Sequence, residues 1–157
     1  MTTGVDTNAL LALLYDDDYA DDSEAALRDS YREGPLVITP VVYAELAADG
    51  HFDTETALDE FLSDFSIRFE APSHEATFRA GEAFREYLDR RPDGLSCPSC
   101  GEERTVTCAS CGEPLTPRQH IAADFIIGAH ALADADALIS FDSGFYGTYF
   151  PSLPVRP

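Results

Sequence analysis

Short apolar segments alternate along this chain with longer segments of helical periodicity, and this alternation limits the possible folds more than any other feature. The segments at residues 3–6, 36–38, 67–70 and 137–141 are predicted as strands, since each is short, apolar and bounded by turn or capping residues. Strands that alternate with helices are typical of α/β domains. The sequence therefore predicts an α/β domain with a mainly parallel central sheet.

Threonine and serine residues mark where several predicted helices begin, because their side-chain oxygens can accept a hydrogen bond from the first helical turn. Thr7, Thr39 and Ser73 are assigned this role, and Pro40 supports the second assignment since proline suits the first turn. Thr116 begins a capping box with proline next to it, which predicts a helix over residues 116–133. Further helices are predicted over residues 23–32 and 53–65, and residues 15–22 are predicted as a solvated acidic turn.

Four acidic residues, referred to below as the four acids, are Asp6, Glu45, Asp124 and Asp142. Asp6 and Asp142 follow predicted strands, and the carboxyl ends of strands are where open α/β sheets bind ligands. Glu45 and Asp124 lie among apolar neighbours in helical segments, where an unpaired charge is costly. Each has a simpler interpretation: helix or turn caps for the first pair, a solvent-reaching surface residue for Glu45, and a purely structural role for Asp124.

The absence of lysine makes these acids more informative, because no lysine is available to neutralise them. Carboxylates, water and substrate phosphates are the ligands that Mg²⁺ and Mn²⁺ prefer. Such a cation can polarise a phosphodiester and generate a hydroxide near neutral pH. The four acids therefore indicate metal-dependent cleavage of phosphodiester bonds.

The segments around the four acids resemble the four acidic motifs of the PIN-domain family, in the family's order. Any one motif is weak, whereas four in order with suitable spacing are specific. Within the family the chain is most similar to the VapC-like toxins, which are small ribonucleases paired with an antitoxin. The matching segments are GVDTNALL at 4–11, ITPVVYAEL at 38–46, ADFIIGAHA at 123–131 and LISFDSGF at 138–145.

The resemblance implies a three-layer PIN-like fold and an endoribonuclease that depends on Mg²⁺ or Mn²⁺, with the four acids as catalytic residues and metal ligands. Asn8 and Ser140 are implied beside them. His120 stands four residues before Asp124, hence on the same predicted helix face. It is interpreted as a neighbour of the site or a surface residue, with a fifth ligand or base as the alternative. The implied partners are RNA, an antitoxin protein and a second copy of the chain. A housekeeping RNA-processing nuclease and a non-catalytic adaptor that binds RNA or protein remain alternatives, although the intact acids argue against the adaptor.

Two Cys-x₂-Cys pairs are predicted to bind zinc. Four thiolates make a closed tetrahedral Zn²⁺ site, and this spacing favours zinc over disulfides or an iron–sulfur cluster. Glycine after each pair permits the positive φ of a tight turn. The predicted ligands are Cys97, Cys100, Cys108 and Cys111.

The cysteine-rich segment at residues 92–115 is predicted as an insertion into one nuclease domain of residues 1–150, followed by a tail at 151–157. The insertion either stabilises a long loop or also contacts substrate or a partner. Arg104 and Arg118 are the candidate RNA contacts, because they lie in or just after it.

The net charge of −19 predicts a protein adapted to high salt. The chain of 157 residues has 29 acids and 10 basic residues, all of them arginine. At about 1 M salt the Debye length falls to about 3 Å, so the repulsion between these surface acids is largely screened. This composition resembles that of haloarchaeal proteins. The sequence shows no targeting segment and no apolar run of membrane-spanning length, so we expect a cytoplasmic protein without a membrane partner.

We expect the melting temperature to rise from low salt to molar KCl, because salt screens the mutual repulsion of the acids. Circular dichroism across a KCl series measures it. A sucrose series, which stabilises by exclusion without screening charge, should give a smaller rise. A melting temperature that is flat or falls with KCl would contradict the halophilic interpretation.

Overall fold

The computed structural model describes residues 1–91, 94–96, 100, 102–115 and 122–157. Three residues that the sequence singled out, Cys97, Arg118 and His120, lie outside this described part. In chain order the elements are β1 Thr3–Val5, α1 Thr7–Tyr15, α2 Ala20–Glu33, β2 Leu36–Ile38, α3 Pro40–Asp49, α4 Glu55–Asp64, β3 Ile67–Phe69, α5 His74–Arg90, β4 Leu95–Ser96, β5 Glu103–Arg104, β6 Val106–Thr107, β7 Pro114–Leu115, α6 Ala123–Asp134, β8 Ala137–Ile139, α7 Ser143–Tyr149 and β9 Val155–Arg156.

Five parallel strands form the central sheet, in the order β3-β2-β1-β8-β9. Gly4 in the middle of β1 pairs with Val37 on one side and Leu138 on the other. The predicted α/β class with a parallel sheet is confirmed. The chain runs outward from β1 to β3 and then crosses to β8 on the other side of β1, so the strand order reverses between β1 and β8.

Helices cover both faces of the sheet. Because crossovers between parallel strands are right-handed, α1 to α4 lie over one face and α5 to α7 over the other. Gly4 allows α6 to approach the sheet closely, since a Cβ at this position would lie 3.3 Å from that of Ala131. The largest fully buried side chains include Leu10, Ile38, Phe125, Ile139 and Tyr146.

The helix caps follow the sequence pattern at two of the three assigned positions. Thr39 and Ser73 cap α3 and α5, each accepting a hydrogen bond from the backbone N–H three residues later. Thr7 was predicted to cap α1, but it is the first residue of that helix. The cap is Asp6, whose carboxylate accepts a hydrogen bond from the Thr7 N–H at 2.7 Å.

Two predicted helix starts are wrong. The helix predicted from residue 116 begins at Ala123, because Ala122 has an extended backbone; residues 116–121 lie outside the described part. The helix predicted from residue 23 begins at Ala20, inside the segment predicted as an acidic turn. The acids of its first turn, Asp21 and Asp22, are favourable there because they face the positive end of the helix dipole.

The segment 151–157, predicted as a tail, contributes an edge strand to the sheet. β9 pairs with β8 through Leu138 with Val155 and Ile139 with Arg156. The Arg156 guanidinium donates to Ser30 Oγ at 3.0 Å and to Glu33 Oε2 at 2.8 Å, which connects this strand to α2.

Between α5 and α6 the described residues include two small antiparallel ladders, β4 with β5 and β6 with β7. No helix in the described part of the chain combines the length and the apolar content needed to cross a membrane.

Gly128→Ala should destabilise the fold. A Cβ at residue 128 would lie 2.5 Å from Cε2 of Phe150 and 3.0 Å from Cδ1 of Tyr146, and both rings are buried. Overpacking of this kind costs about 1–3 kcal/mol. Thermal unfolding in molar KCl should therefore show a melting temperature lower by several degrees.

Gly81→Ala is the matched control, since it makes the same change within a helix where nothing lies within 4 Å of the new Cβ. It should stabilise the protein by about 0.5–1 kcal/mol, because alanine loses less backbone freedom on folding than glycine. Equal shifts in the two variants would contradict the packing described here.

Candidate active site

The four acids meet where the strand order reverses, between β1 and β8. Asp6 follows β1 and Asp142 lies just beyond β8, at the same edge of the sheet. Glu45 lies on α3, and Asp124 lies in the first turn of α6. A crevice at such a reversal is where open α/β sheets bind ligands. All four acids line one cleft of about 490 Å³, together with Thr7, Asn8, Leu11, Ala48 and Asp49.

Asp6 is the most buried of the four, with 4% of its surface exposed. Its Oδ2 accepts hydrogen bonds from Ser140 Oγ at 2.7 Å, Asn8 Nδ2 at 3.0 Å and the Tyr146 hydroxyl at 3.1 Å. Burial raises the pKa of Asp6 above its ordinary value, and the hydrogen bonds from Ser140 and Tyr146 oppose that rise. These bonds hold the carboxylate in one orientation.

Asn8 and Ser140, which the family resemblance implied beside the acids, connect the ends of β1 and β8. Asn8 Nδ2 also donates to Ser140 Oγ at 3.1 Å, and Asn8 Oδ1 accepts the Phe141 N–H at 3.2 Å. Ser140 Oγ in turn accepts the Asp142 N–H at 3.1 Å. The two side chains therefore link Asp6 to the backbone that carries Asp142.

The other three acids have different surroundings. The half-buried Glu45 accepts a hydrogen bond at Oε2 from the Thr7 hydroxyl. Asp142 is exposed and caps α7, with Oδ1 accepting the Phe145 N–H at 3.0 Å. Asp124 is half-buried. The capping roles considered for Asp6 and Asp142 are thus both present, and both residues still line the cleft.

Like charges crowd this cleft. The pKa of Asp124 is raised, first by burial and then by the neighbouring Asp6 and Glu45 carboxylates. Burial is also the main reason that the pKa of Tyr146 is raised, so its hydroxyl stays protonated and able to donate to Asp6. In the part of the chain that the structure describes, no arginine lines the cleft. Among the described residues the site is therefore acidic without an internal counter-charge.

The donor chemistry of the cleft fits Mg²⁺ or Mn²⁺, which prefer carboxylate oxygens and water. Among the described residues, no three histidine, cysteine or acidic side chains stand close enough together to hold one ion. Mg²⁺ commonly keeps several waters and uses one or two carboxylates with substrate phosphates. A spaced set of acids is therefore compatible with this ion.

Three residues of the site were not identified from the sequence. Tyr146 follows Asp142 by four residues, and this one-turn spacing was the available signal. Thr7 was assigned only as a cap. Asp49 accepts the Tyr15 hydroxyl at 2.5 Å and lines the cleft, but acids are so frequent in this chain that its position gave no signal.

Cys108 and Cys111 lie in a tight turn between β6 and β7. The backbone N–H groups of Ser110 and Cys111 donate to the Cys108 thiol and lower its pKa. Gly112 has φ +78°, and its N–H donates to the Cys108 carbonyl at 2.8 Å. The tight turn predicted from the glycine after this cysteine pair is therefore present. Cys100 is exposed. Cys97 lies outside the described residues. The structure therefore describes three of the four predicted zinc ligands, and the four-cysteine site stays a prediction.

The remaining candidate residues do not join the cleft in the described structure. Arg104 is exposed and pairs with Glu102, with Nη2 and Oε1 3.0 Å apart. Arg118 and His120 are outside the described residues. Because Ala122 has an extended backbone and α6 begins at Ala123, the structure shows no continuous helix through residue 122, and the place of His120 stays a prediction.

Both the sequence and the fold of the chain are similar to those of known proteins. A PIN-domain profile matches residues 5–96, more than half of the chain. No curated protein matches the sequence significantly.

Three solved structures share the fold across nearly their whole length. One is the structure of VapBC2 from Rickettsia felis bound to a DNA fragment from its promoter. Its sequence is 16% identical, and the match has a TM-score of 0.62 and covers 99% of this chain and 98% of that chain. VapBC-1 from nontypeable Haemophilus influenzae is 17% identical with a TM-score of 0.60, covering 99% and 97%. VapC20 from Mycobacterium tuberculosis, a sarcin–ricin loop cleaving toxin, is 15% identical with a TM-score of 0.52, covering 99% of each chain.

Proposed function

Because the chain belongs to the PIN-domain family, we propose that it is a divalent-metal-dependent endoribonuclease that cleaves RNA phosphodiester bonds. The observation that carries this proposal is the convergence of the four acids on one cleft, with no arginine among its described lining residues. Such a cleft repels the phosphates of RNA unless a cation neutralises it. When bound, Mg²⁺ or Mn²⁺ would polarise the phosphate of the substrate and provide a hydroxide nucleophile near neutral pH.

The four acids are the proposed catalytic residues and metal ligands. Asp6 is suited to this role because its Oδ2 receives three donors whereas its Oδ1 receives one, the Thr7 N–H, and so keeps lone-pair capacity. The Thr7 hydroxyl orients Glu45 in the same way. Asn8, Ser140 and Tyr146 act as positioning residues, since they touch Asp6 rather than the reacting atoms.

We also propose that the chain is the toxin of a toxin–antitoxin pair, with an antitoxin protein and a second copy of itself as partners. The VapC-like motifs support this, as does the shared fold with two VapBC proteins and a toxin that cleaves the sarcin–ricin loop. A housekeeping RNA-processing nuclease would need the same cleft, and stable capture of a co-expressed small partner distinguishes the two.

Residues 92–115 are proposed as a zinc-binding insertion in the nuclease domain predicted at residues 1–150, to whose sheet β9 also belongs. The Cys108–Cys111 turn supports zinc, because backbone N–H groups at a cysteine sulfur stabilise the thiolate that the metal requires. Cys97 and Cys100 would complete the tetrahedral set. The acidic composition supports a salt-loaded cytoplasm as the place where the protein works.

Asp124→Asn should lower RNA cleavage in molar KCl with Mg²⁺ or Mn²⁺ by at least about 100-fold, since it removes a proposed metal ligand at constant size. Gel electrophoresis of end-labelled single-stranded RNA measures the cleavage. The metal-free melting temperature should hold or rise, because the substitution relieves repulsion from Asp6 and Glu45.

Glu60→Gln is the control: it removes one negative charge from an exposed position on α4, away from the cleft, and should cleave like the wild type. Full activity in Asp124→Asn would overturn the catalytic assignment. Wild-type protein that binds RNA without cutting it would favour the adaptor.

The purified protein should contain about one zinc per chain, and Cys108→Ser should lose it, because a closed site needs all four thiolates. Limited proteolysis should then cut within residues 92–115 while the sheet, which has its own core, stays folded. Thr107→Ser, an exposed neighbouring change, should keep the metal. Zinc-free wild-type protein on elemental analysis would contradict the proposed site.

A further inference from the structure

We propose that Tyr19, packed on Phe141 beside the acidic cleft, is a stacking surface for the bases of single-stranded RNA, and that Tyr15 is a second such ring. This inference rests on the proposed nuclease function and specifies how the substrate is held. It names binding residues that neither the four acidic motifs nor the cysteine pairs contain.

The ring pair has the geometry of a supported platform. The centroids of Tyr19 and Phe141 lie 4.8 Å apart, with an angle of 36° between the ring planes. Phe141 packs against the hydrophobic core, whereas Tyr19 is 54% exposed despite this contact. One ring is therefore held from beneath while the other offers free aromatic surface to solvent. Unpaired bases stack on aromatic side chains presented in this way.

The backbone fixes this platform to the wall of the cleft. Phe141 immediately precedes Asp142, and consecutive Cα atoms are about 3.8 Å apart. The Phe141 N–H donates to Asn8 Oδ1 at 3.2 Å, and Asn8 lines the cleft. The Tyr19 N–H donates to Asp17 Oδ1 at 2.8 Å, which orders the turn before α2.

Tyr15 stands at another part of the rim. It follows Leu11, a cleft residue, by one turn of α1. Tyr15 is 56% exposed, and its hydroxyl donates to Asp49 Oδ2 at 2.5 Å, which ties it to a second cleft residue. Tyr19 therefore packs on the residue that precedes Asp142, and Tyr15 is hydrogen-bonded to Asp49.

The charge distribution favours stacking over phosphate contacts as the means of binding RNA. The chain has 10 basic residues against 29 acids, and no described arginine lines the cleft. Several arginines pair with acids on their own helices, as Arg28 does with Glu24 and Arg79 with Glu75. Binding through phosphates also weakens steeply as salt rises. Base stacking requires no net charge on the protein, so it suits this acidic surface in high salt.

Stacking also selects the form of the RNA. In a duplex the base faces are occupied by neighbouring pairs, whereas loops and single strands can turn bases outward onto a side chain. The platform therefore fits single-stranded RNA and leaves duplex RNA without a binding contact.

Binding is measured in molar KCl by anisotropy of a fluorescein-labelled single-stranded RNA of mixed sequence, with proteins that also carry Asp124→Asn so that the probe stays intact. Tyr19→Ala should raise Kd about tenfold, and Tyr19→Phe should keep it within about twofold because the ring is retained. Without Asp124→Asn, the KM for RNA cleavage by Tyr19→Ala should rise by a similar factor, with kcat within about twofold of the wild type.

Tyr31→Ala is the matched control. Tyr31 lies on α2 and is 55% exposed, but it stands two residues before Glu33, whose carbonyl accepts the Met1 amino group at the opposite edge of the sheet. This variant should bind and cleave single-stranded RNA like the wild type. Duplex RNA should bind weakly to every variant, and melting temperatures verify that each is folded.

An unchanged Kd in Tyr19→Ala overturns the proposal, and it is the result expected if these rings dock a protein instead. An equal loss in Tyr31→Ala, or tight binding of duplex RNA, overturns it as well. If instead the nuclease proposal fails, the wild-type protein cuts no RNA with either metal, and this result is distinguishable from the ones above. Failure of the stacking proposal alone leaves wild-type cleavage intact, with the same KM in Tyr19→Ala.

Discussion

The buried carboxylate of Asp6 is the constraint on which the candidate site depends. A charge removed from water must be compensated by hydrogen bonds or a counter-charge. Asp6 receives hydrogen bonds from Thr7, Asn8, Ser140 and Tyr146. Because these donors come from α1, the end of β8 and α7, the carboxylate is satisfied only when the middle of the sheet and its helices are assembled. Formation of the site is therefore coupled to formation of the fold.

Asp124 adds charge where the fold gains no stability from it. Burial and the nearby carboxylates raise the pKa of Asp124, so its ionised form is disfavoured in the folded chain, and its contribution to stability falls as pH rises above the ordinary aspartate range. An arrangement that costs stability is expected where function requires it. Among the described residues no arginine lines the cleft, whereas the exposed Tyr15 is hydrogen-bonded to Asp49 in its wall.

The fold class could be predicted because it depends on local patterns, whereas the edges of elements depend on distant contacts. β9 has two residues beside prolines and no apolar alternation. It is a strand because β8 has an edge to pair with and because Arg156 reaches Ser30 and Glu33 on α2. The capping pattern at residue 116 likewise predicted a helix, yet the extended backbone at Ala122 sets the start of α6 at Ala123.

The sequence by itself determined the parallel α/β class, the PIN-domain motifs and the choice of the four acids, since strand ends and apolar surroundings are visible in local order. The catalytic role of those acids stays a prediction. Only the tertiary structure decided that Tyr146 donates to Asp6, that Thr7 holds Glu45 and that Tyr19 packs on Phe141. Each of these contacts joins residues far apart in the chain. Their distance is set by how helices and strands pack, and no local pattern of residue types encodes it.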